Sequence, residues 1–194
     1  DLQQKIIRFN GSARNRIWED PNRIVRACRF MAKLNGGKFS KDTFESLIKY
    51  SSYINMVKPE RVRLEILKAM EIKKASKFFK TLHKIGILKD ILPSLDRSFG
   101  HPGGPYHYET VFDHCMMAGD HESTKYPLIK LAGYLHDIGK PISSRINPKT
   151  NDIWFQGHEK TGCEAVKTEL KILKFSNEEI NLISSLVLLH MRIA

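Results

Sequence analysis

No apolar run in this 194-residue chain approaches the roughly 20 residues that a bilayer requires, so the sequence offers no membrane span. Only three cysteines are present, Cys28, Cys115 and Cys163. An odd count at wide spacing builds no disulfide framework and points to a reducing, cytoplasmic compartment. There is no charged-then-apolar leader and no initial Met, so the sequence reads as a fragment of a longer chain. Internal repeats and low-complexity tracts are missing as well. A disordered tail is excluded too, since 41% hydrophobic, 27% charged and 9% aromatic residues are ordinary globular proportions.

Acidic residues are scarce in one half only. Residues 1–100 hold 22 Lys+Arg and 10 Asp+Glu, whereas residues 101–194 hold 10 and 11. The whole basic excess therefore lies in the first half, the footprint of a surface that meets polyphosphate or, more blandly, of a solubilising lysine coat. Histidine runs the other way, with seven of the eight after residue 100. The loop Ser98-Phe99-Gly100-His101-Pro102-Gly103-Gly104-Pro105 marks the change, giving expected domains 1–100 and 101–194.

One short strand is expected over 4–9, and everything later reads as helix, so the fold class is all-α. Asp20-Pro21 fits a cap followed by Pro at the first helical position. Ile24, Ala27, Met31 and Leu34 then recur at helical spacing until Gly36-Gly37. Further helices are expected over 41–50, 59–72, 75–84, 107–122, 127–139, 158–174 and 177–193. Ser176-Asn177-Glu178-Glu179 forms a capping box before the last of them.

His136-Asp137-Ile138-Gly139-Lys140 ends an apolar helix, where both His136 and Asp137 can reach an ion lying off its end. His114, His158 and His190 fall on other expected helices. Four histidines and an aspartate suit one or two divalent ions bound through N and O ligands, which would activate water against a phosphate ester. Lys140 would stabilise an equatorial phosphate oxygen. Any one of these histidines alone reads more readily as a satisfied core or surface residue. The segment resembles the HD phosphohydrolase superfamily in its HD-I-G-K form, which implies metal roles for His114, His136, Asp137, His158 and His190. That family's distal aspartate has no counterpart: Asp152 is out of place and nothing acidic follows Glu179. His107 and Glu109 are kept as supporting or substrate-contacting groups.

Glu19-Asp20-Pro21-Asn22-Arg23-Ile24-Val25-Arg26-Ala27-Cys28-Arg29-Phe30 is the most specific string of the first half. Taken alone, Asp20 reads as a helix cap, and Arg23, Arg26 and Lys33 as a solvated stripe. The string closely resembles the E-D-x-x-R motif of class II tRNA nucleotidyltransferases and bacterial poly(A) polymerases. Asp1-Leu2…Lys5-Ile6-Ile7-Arg8 is similar to the strand before that motif. Glu60-Arg61-Val62-Arg63-Leu64-Glu65 is similar to the next motif, and Leu82…Leu92-Pro93 to the segment before the HD domain. The expected architecture is thus a helical neck and body followed by a helical HD domain.

The resemblance implies that Glu19, Asp20, Arg23 and Arg26 form a protein template for the incoming nucleotide. A carboxylate only accepts hydrogen bonds, so Asp20 would meet the exocyclic amine of cytosine or adenine. Arg23 only donates, and would meet a neighbouring ring acceptor while Glu19 orients it. Uracil and guanine face Asp20 with a carbonyl, a mismatch that a buried polar site rejects by roughly 10⁴-fold. The expected substrates are CTP, ATP and tRNA, with no membrane or protein partner. The two Mg²⁺ ions of nucleotidyl transfer belong to a paired carboxylate on a β-sheet head, expected before Asp1. Asp120 and Glu122 have the D-x-[DE] spacing but read as surface residues, and Gly11-Ser12 only faintly resembles the phosphate loop. The expected activity of the whole protein is CCA addition. Alternatives are poly(A) polymerase or A-adding activity, a self-sufficient HD phosphohydrolase, or a non-catalytic RNA-binding module.

Overall fold

A computed structural model describes residues 3–34, 36–104 and 108–192. Asp1, Leu2 and His107 lie outside these residues. The chain divides into two compact units, Asp1–Ile91 and Leu92–Ala194.

The first unit opens with β1 (Ile6–Ile7) and runs through α1 (Ala13–Glu19), α2 (Arg23–Lys33), β2 (Lys38–Phe39) and α3 (Lys41–Lys49). A 3-10 turn (Ser51–Met56), α4 (Pro59–Met70), α5 (Ser76–Lys84) and α6 (Leu88–Ile91) complete it. The stripe Ile24, Val25, Ala27, Cys28 and Ala32 buries one face of α2. It packs against α4 and α5, which bring Ile66, Met70, Phe78, Phe79 and Leu82 into the same core. Arg29 and Glu65 bridge α2 to α4 by a buried ion pair, Nε to Oε2 at 2.5 Å. At the end of α5, Gly86 adopts φ +82°, left-handed backbone that a residue without Cβ takes at no steric cost.

Three expectations need correction here. The lone strand finds a parallel partner, with Ile6 opposite Lys38 and Ile7 opposite Phe39. A second, antiparallel pair joins β3 (Arg145–Ile146) to β4 (Ile153–Trp154) in the other unit. Two-residue strands carry no alternation to read, so only tertiary pairing reveals them. Asp20 is not the cap of α2. It closes α1, and its Oδ1 accepts the Asn22 N–H at 3.2 Å, while α2 starts from Asn22. The unforeseen α1 is seven residues long, is capped by Ser12 and buries only Ala13 and Ile17, too little for a periodic signal.

The second unit contains α7 (Pro93–Arg97), α8 (Val111–His121), α9 (Pro127–Leu135), α10 (Lys140–Ser143), the β3–β4 hairpin, α11 (His158–Ile172) and α12 (Asn177–Leu189). A 3-10 turn, His190–Arg192, follows. Helices α8, α9, α11 and α12 enclose a core that includes Phe112, Leu131, Tyr134, Leu170 and Val187. The capping box forms, with Ser176 and Glu179 each accepting the other's backbone N–H. Residues 92–100 pack with this unit: the Ser94 N–H donates to Glu169 Oε1 at 2.9 Å and the Phe112 N–H to the Ser98 carbonyl at 3.2 Å. The division therefore falls ahead of the glycine- and proline-rich loop. Asp120 is held rather than free, since Tyr134 donates to its Oδ1 at 2.5 Å. The three cysteines are buried and unpaired by disulfides, and burial pushes the Cys28 and Cys115 thiols well above the usual range. Among the described residues, no helix is long and apolar enough to cross a membrane.

Candidate functional site

In the second unit, five helix ends or faces deliver side chains to one point. His114 projects from α8, His136 and Asp137 follow α9 directly, Lys140 opens α10, His158 opens α11, and His190 follows α12. The approach of α10 to α11 depends on Gly139. A Cβ there would stand 2.0 Å from the His158 carbonyl oxygen and 2.5 Å from the Gly162 nitrogen. Only glycine lets the turn carrying Asp137 settle on the first turn of α11.

Each of the four imidazoles is held by its Nδ1. His136 donates to the Gly133 carbonyl at 2.8 Å, His158 to that of Phe155 at 2.7 Å, and His190 to that of Val187 at 2.6 Å. His114 donates to the Glu109 carboxylate at 3.1 Å. This tautomer leaves every Nε2 as a bare lone pair. All four lone pairs converge on Asp137: His136 and His114 lie 3.3 and 3.7 Å from Oδ2, while His158 and His190 lie 3.3 and 3.5 Å from Oδ1. Asp137 is thus flanked by a histidine pair on each oxygen. Lys140 Nζ stands 2.6 Å from Oδ2, and Oδ1 is buried without a hydrogen-bond partner.

Electrostatically the arrangement calls for a cation. The Nε2 atoms of His158 and His190 face one another at 3.2 Å, lone pair against lone pair once both Nδ1 atoms carry protons. The donor set divides into His114, His136 and Asp137 on one side and Asp137, His158 and His190 on the other. Within each trio, ligand atoms lie within 4.8 Å of one another. Neutral imidazole with carboxylate suits a borderline divalent ion, and the Nδ1 partners fix the rings as orienting groups do in metal sites. Burial opposes the charge on Asp137, yet His136, His158 and His190, when they are protonated at Nε2 as well, hold its carboxyl far below the usual carboxylate range. Burial draws His114 down, against the pull of Glu109. His190 is raised in spite of burial, because Asp137 and the Val187 carbonyl favour its cation.

The basic string of the first unit is arranged differently. Glu19 Oε2 accepts Arg23 Nη1 at 2.9 Å, and the Arg16 carbonyl accepts the same nitrogen at 2.7 Å. The hydrogen bond from Arg23 holds the Glu19 carboxyl below its ordinary range. Asp20 turns instead to Arg61 on α4, which grips it with two parallel bonds of 2.8 and 2.9 Å and lowers its pKa. Arg23 and Arg26 face a cavity of about 350 Å³ with Arg8, Arg16 and Phe30, while Asp20 is not part of its lining. Arg8 and Arg16 were not singled out from the sequence, where they look like any other scattered positive charge. Gly11-Ser12 serves as the entry and cap of α1.

Comparison with known proteins assigns both regions. Residues 38–99 match the family described as "Probable RNA and SrmB- binding site of polymerase A", and residues 106–194 match the HD domain. In sequence order, the chain thus carries a segment similar to that polymerase family and then a segment similar to the HD domain. A protein named Multifunctional CCA protein from Methylococcus capsulatus is 32% identical over 87% of this chain and 40% of its own length. The CC-adding tRNA nucleotidyltransferase of Thermus thermophilus is 27% identical over 90% of the chain and 42% of its own length. The A-adding tRNA nucleotidyltransferase of Deinococcus radiodurans is 28% identical over 98% and 45%. The chain spans less than half the length of these relatives, and it is similar to them over most of its own length.

Proposed function

We propose that the first unit selects CTP and ATP and contacts tRNA within a cytoplasmic CCA-adding nucleotidyltransferase, whose Mg²⁺-binding carboxylates lie on another part of the protein. The observation carrying this reading is the aimed Arg23. Glu19 and the Arg16 carbonyl absorb one guanidinium nitrogen, and its remaining donors are left for a base edge. Asp20 keeps acceptor capacity beside the Arg61 fork, since a carboxylate offers about four lone-pair sites. In the full-length protein, Asp20→Ala or Arg23→Ala should erase discrimination against UTP and GTP while leaving the fold intact. Unchanged nucleotide selection in both variants sinks the template reading. The A-adding relative supports a second reading within the same chemistry, which products ending in A alone on tRNA already carrying CC would favour.

The second unit we read as a divalent-metal phosphohydrolase site with Asp137 between two histidine pairs. One or two divalent ions there would supply a water of lowered pKa and charge stabilisation. Lys140, with its stem buried, would meet a phosphate oxygen. Elemental analysis of the protein after loading should find metal, and Asp137→Ala should lose it. Hydrolysis of a 2′,3′-cyclic phosphate is the matching activity assay. Metal-free protein after loading with a series of divalent ions refutes the assignment.

A further inference from the structure

Trp18 on α1 leaves 64% of its surface exposed, so a large apolar ring forgoes the stabilisation that burial would bring it. Tyr53 of the 3-10 turn meets the indole edge-on, with centroids 5.6 Å apart, and Tyr53 in turn leans on Tyr50 at 5.7 Å. Three aromatic rings thus form a row, flanked by a cation near each end. Lys49 Nζ lies 5.7 Å from the Tyr50 ring centroid. Arg14 is exposed one turn before Trp18 on α1, at the i, i+4 spacing that makes two helical residues neighbours. The carboxylates nearest in sequence are engaged elsewhere: Glu19 accepts from Arg16 and Arg23, and Glu45 faces Lys41 at 3.9 Å. Neither the three rings nor Arg14 and Lys49 line the cavity that Arg23 and Arg26 face, so the row is a separate surface.

We propose that this row is a stacking platform for unpaired nucleotides of an RNA, with Trp18 under a base and Arg14 and Lys49 meeting the phosphates on either side. The inference rests on the reading of this unit as an RNA-contacting body, and adds to it the form of the RNA, single-stranded, and the residues that hold it. An apolar peptide would also find the indole, but residues 1–100 carry 22 Lys+Arg against 10 Asp+Glu, a balance that favours a polyanion. Inside a duplex each base face is covered by the neighbouring pair, which leaves an exposed side-chain ring nothing to stack on. A single strand presents the π-face of every base, whatever its identity. The edge of Tyr53 fixes the plane of the indole before any ligand arrives, so little ordering is left to be done on binding.

Trp154→Phe leaves Trp18 as the sole tryptophan, so its fluorescence reports directly on the row. Titration of this variant with single-stranded oligoadenylate should quench that fluorescence saturably, and an RNA duplex of the same length should quench it far less. Affinities then follow from the anisotropy of the labelled oligonucleotide. Trp18→Leu keeps an apolar side chain but removes the π-face. It should weaken binding roughly five- to 150-fold, the worth of one stacked base, with an unchanged salt dependence, and Trp18→Phe should restore most of the loss. Arg14→Ala together with Lys49→Ala should instead flatten the slope of log K against log salt by about 1.4, two phosphate contacts at about 0.7 each. Equal quenching by duplex and single strand overturns the platform, as does native affinity in Trp18→Leu. Native affinity of that variant for tRNA as well leaves the RNA-contacting body standing without the platform. Failure of the native chain to bind either tRNA or oligoadenylate removes both.

Discussion

Replacing Glu65 by alanine should markedly destabilise the first unit, and its cost follows from the geometry. Glu65 Oε2 meets Arg29 Nε at 2.5 Å, with the two side chains 7% and 12% exposed. At an effective dielectric near 20, charges about 4 Å apart attract by about 4 kcal/mol, which offsets the desolvation of each. Truncating one partner leaves the guanidinium of Arg29 in the interior between α2 and α4, and breaking such a pair costs about 3–5 kcal/mol. Arg29 also lies 4.7 Å from the Phe30 ring centroid, a contact worth about 0.5–1 kcal/mol that survives the mutation. The expected loss is therefore near the lower bound, about 3 kcal/mol, or roughly 150-fold in the unfolding equilibrium. Removing both charges with Arg29→Met and Glu65→Ala together should recover all but about 1 kcal/mol, because no buried ion is then left alone. Urea unfolding in a Trp154→Phe background isolates the first unit, since Trp18, edge-on to Tyr53 at 5.6 Å, is then the only tryptophan. A cost below 1 kcal/mol for Glu65→Ala refutes the argument, as does a double variant no more stable than the single one.

Gly139→Ala forces α10 off α11, because the added methyl would overlap backbone atoms of His158 and Gly162. Overpacking of about 2 kcal/mol should lower the melting temperature of the second unit by roughly 8–16 °C and reduce its metal content; calorimetry with unchanged melting and metal content contradicts this. Glu169 is raised above the ordinary carboxylate range by burial, against the Ser94 hydrogen bond and Arg97. A raised folded pKa means stability that is fully present below the unfolded value and is lost as pH rises through the folded one. Glu169→Gln keeps an oxygen for the Ser94 N–H and removes that loss. Relative to the native chain, the variant should therefore gain about 1 kcal/mol between pH 4 and pH 7, and a difference independent of pH in urea melts is the contrary result. Arg61→Ala frees the Asp20 carboxylate from its fork, so Asp20 should titrate closer to its ordinary range in carbonyl NMR, while an unchanged titration shows that Arg61 is not its main partner.

The long helices were legible because their signals are local. Pro59 and Pro127 open α4 and α9, Gly86 closes α5, and Ser176 with Glu179 caps α12. In each case the residue acts on its own turn, so the sequence carries the whole cause. The signals that failed were those whose cause lies elsewhere in the chain. Asp20 followed by Pro21 has the chemistry of a cap, but Arg61, 41 residues away, takes both its oxygens, and Asn22 becomes the first residue of the turn. Strands β1 and β2 exist only because the turn after α2 returns Lys38 to Ile6.

The histidine cluster sits between these two cases. Its members could be named from residue type and the HD-I-G-K string, since imidazole and carboxylate are the groups a divalent ion needs. The division of labour could not be named, because it depends on which Asp137 oxygen each ring reaches. That is fixed by Nδ1 acceptors at Gly133, Phe155 and Val187 that no motif marks, being backbone carbonyls. Three of the four rings are thus oriented by main chain three residues earlier, so substitution at those acceptor positions leaves the carbonyl in place. Only His114 depends on a side chain, Glu109. Glu109→Ala should therefore loosen the His114 side of Asp137 selectively, leaving the His158 and His190 side intact. In a site holding two ions, the affinity for one of them falls and the other keeps its own, which a metal titration resolves as two separated steps. Equal weakening of both steps would show that the Asp137 carboxylate transmits the loss from one side to the other.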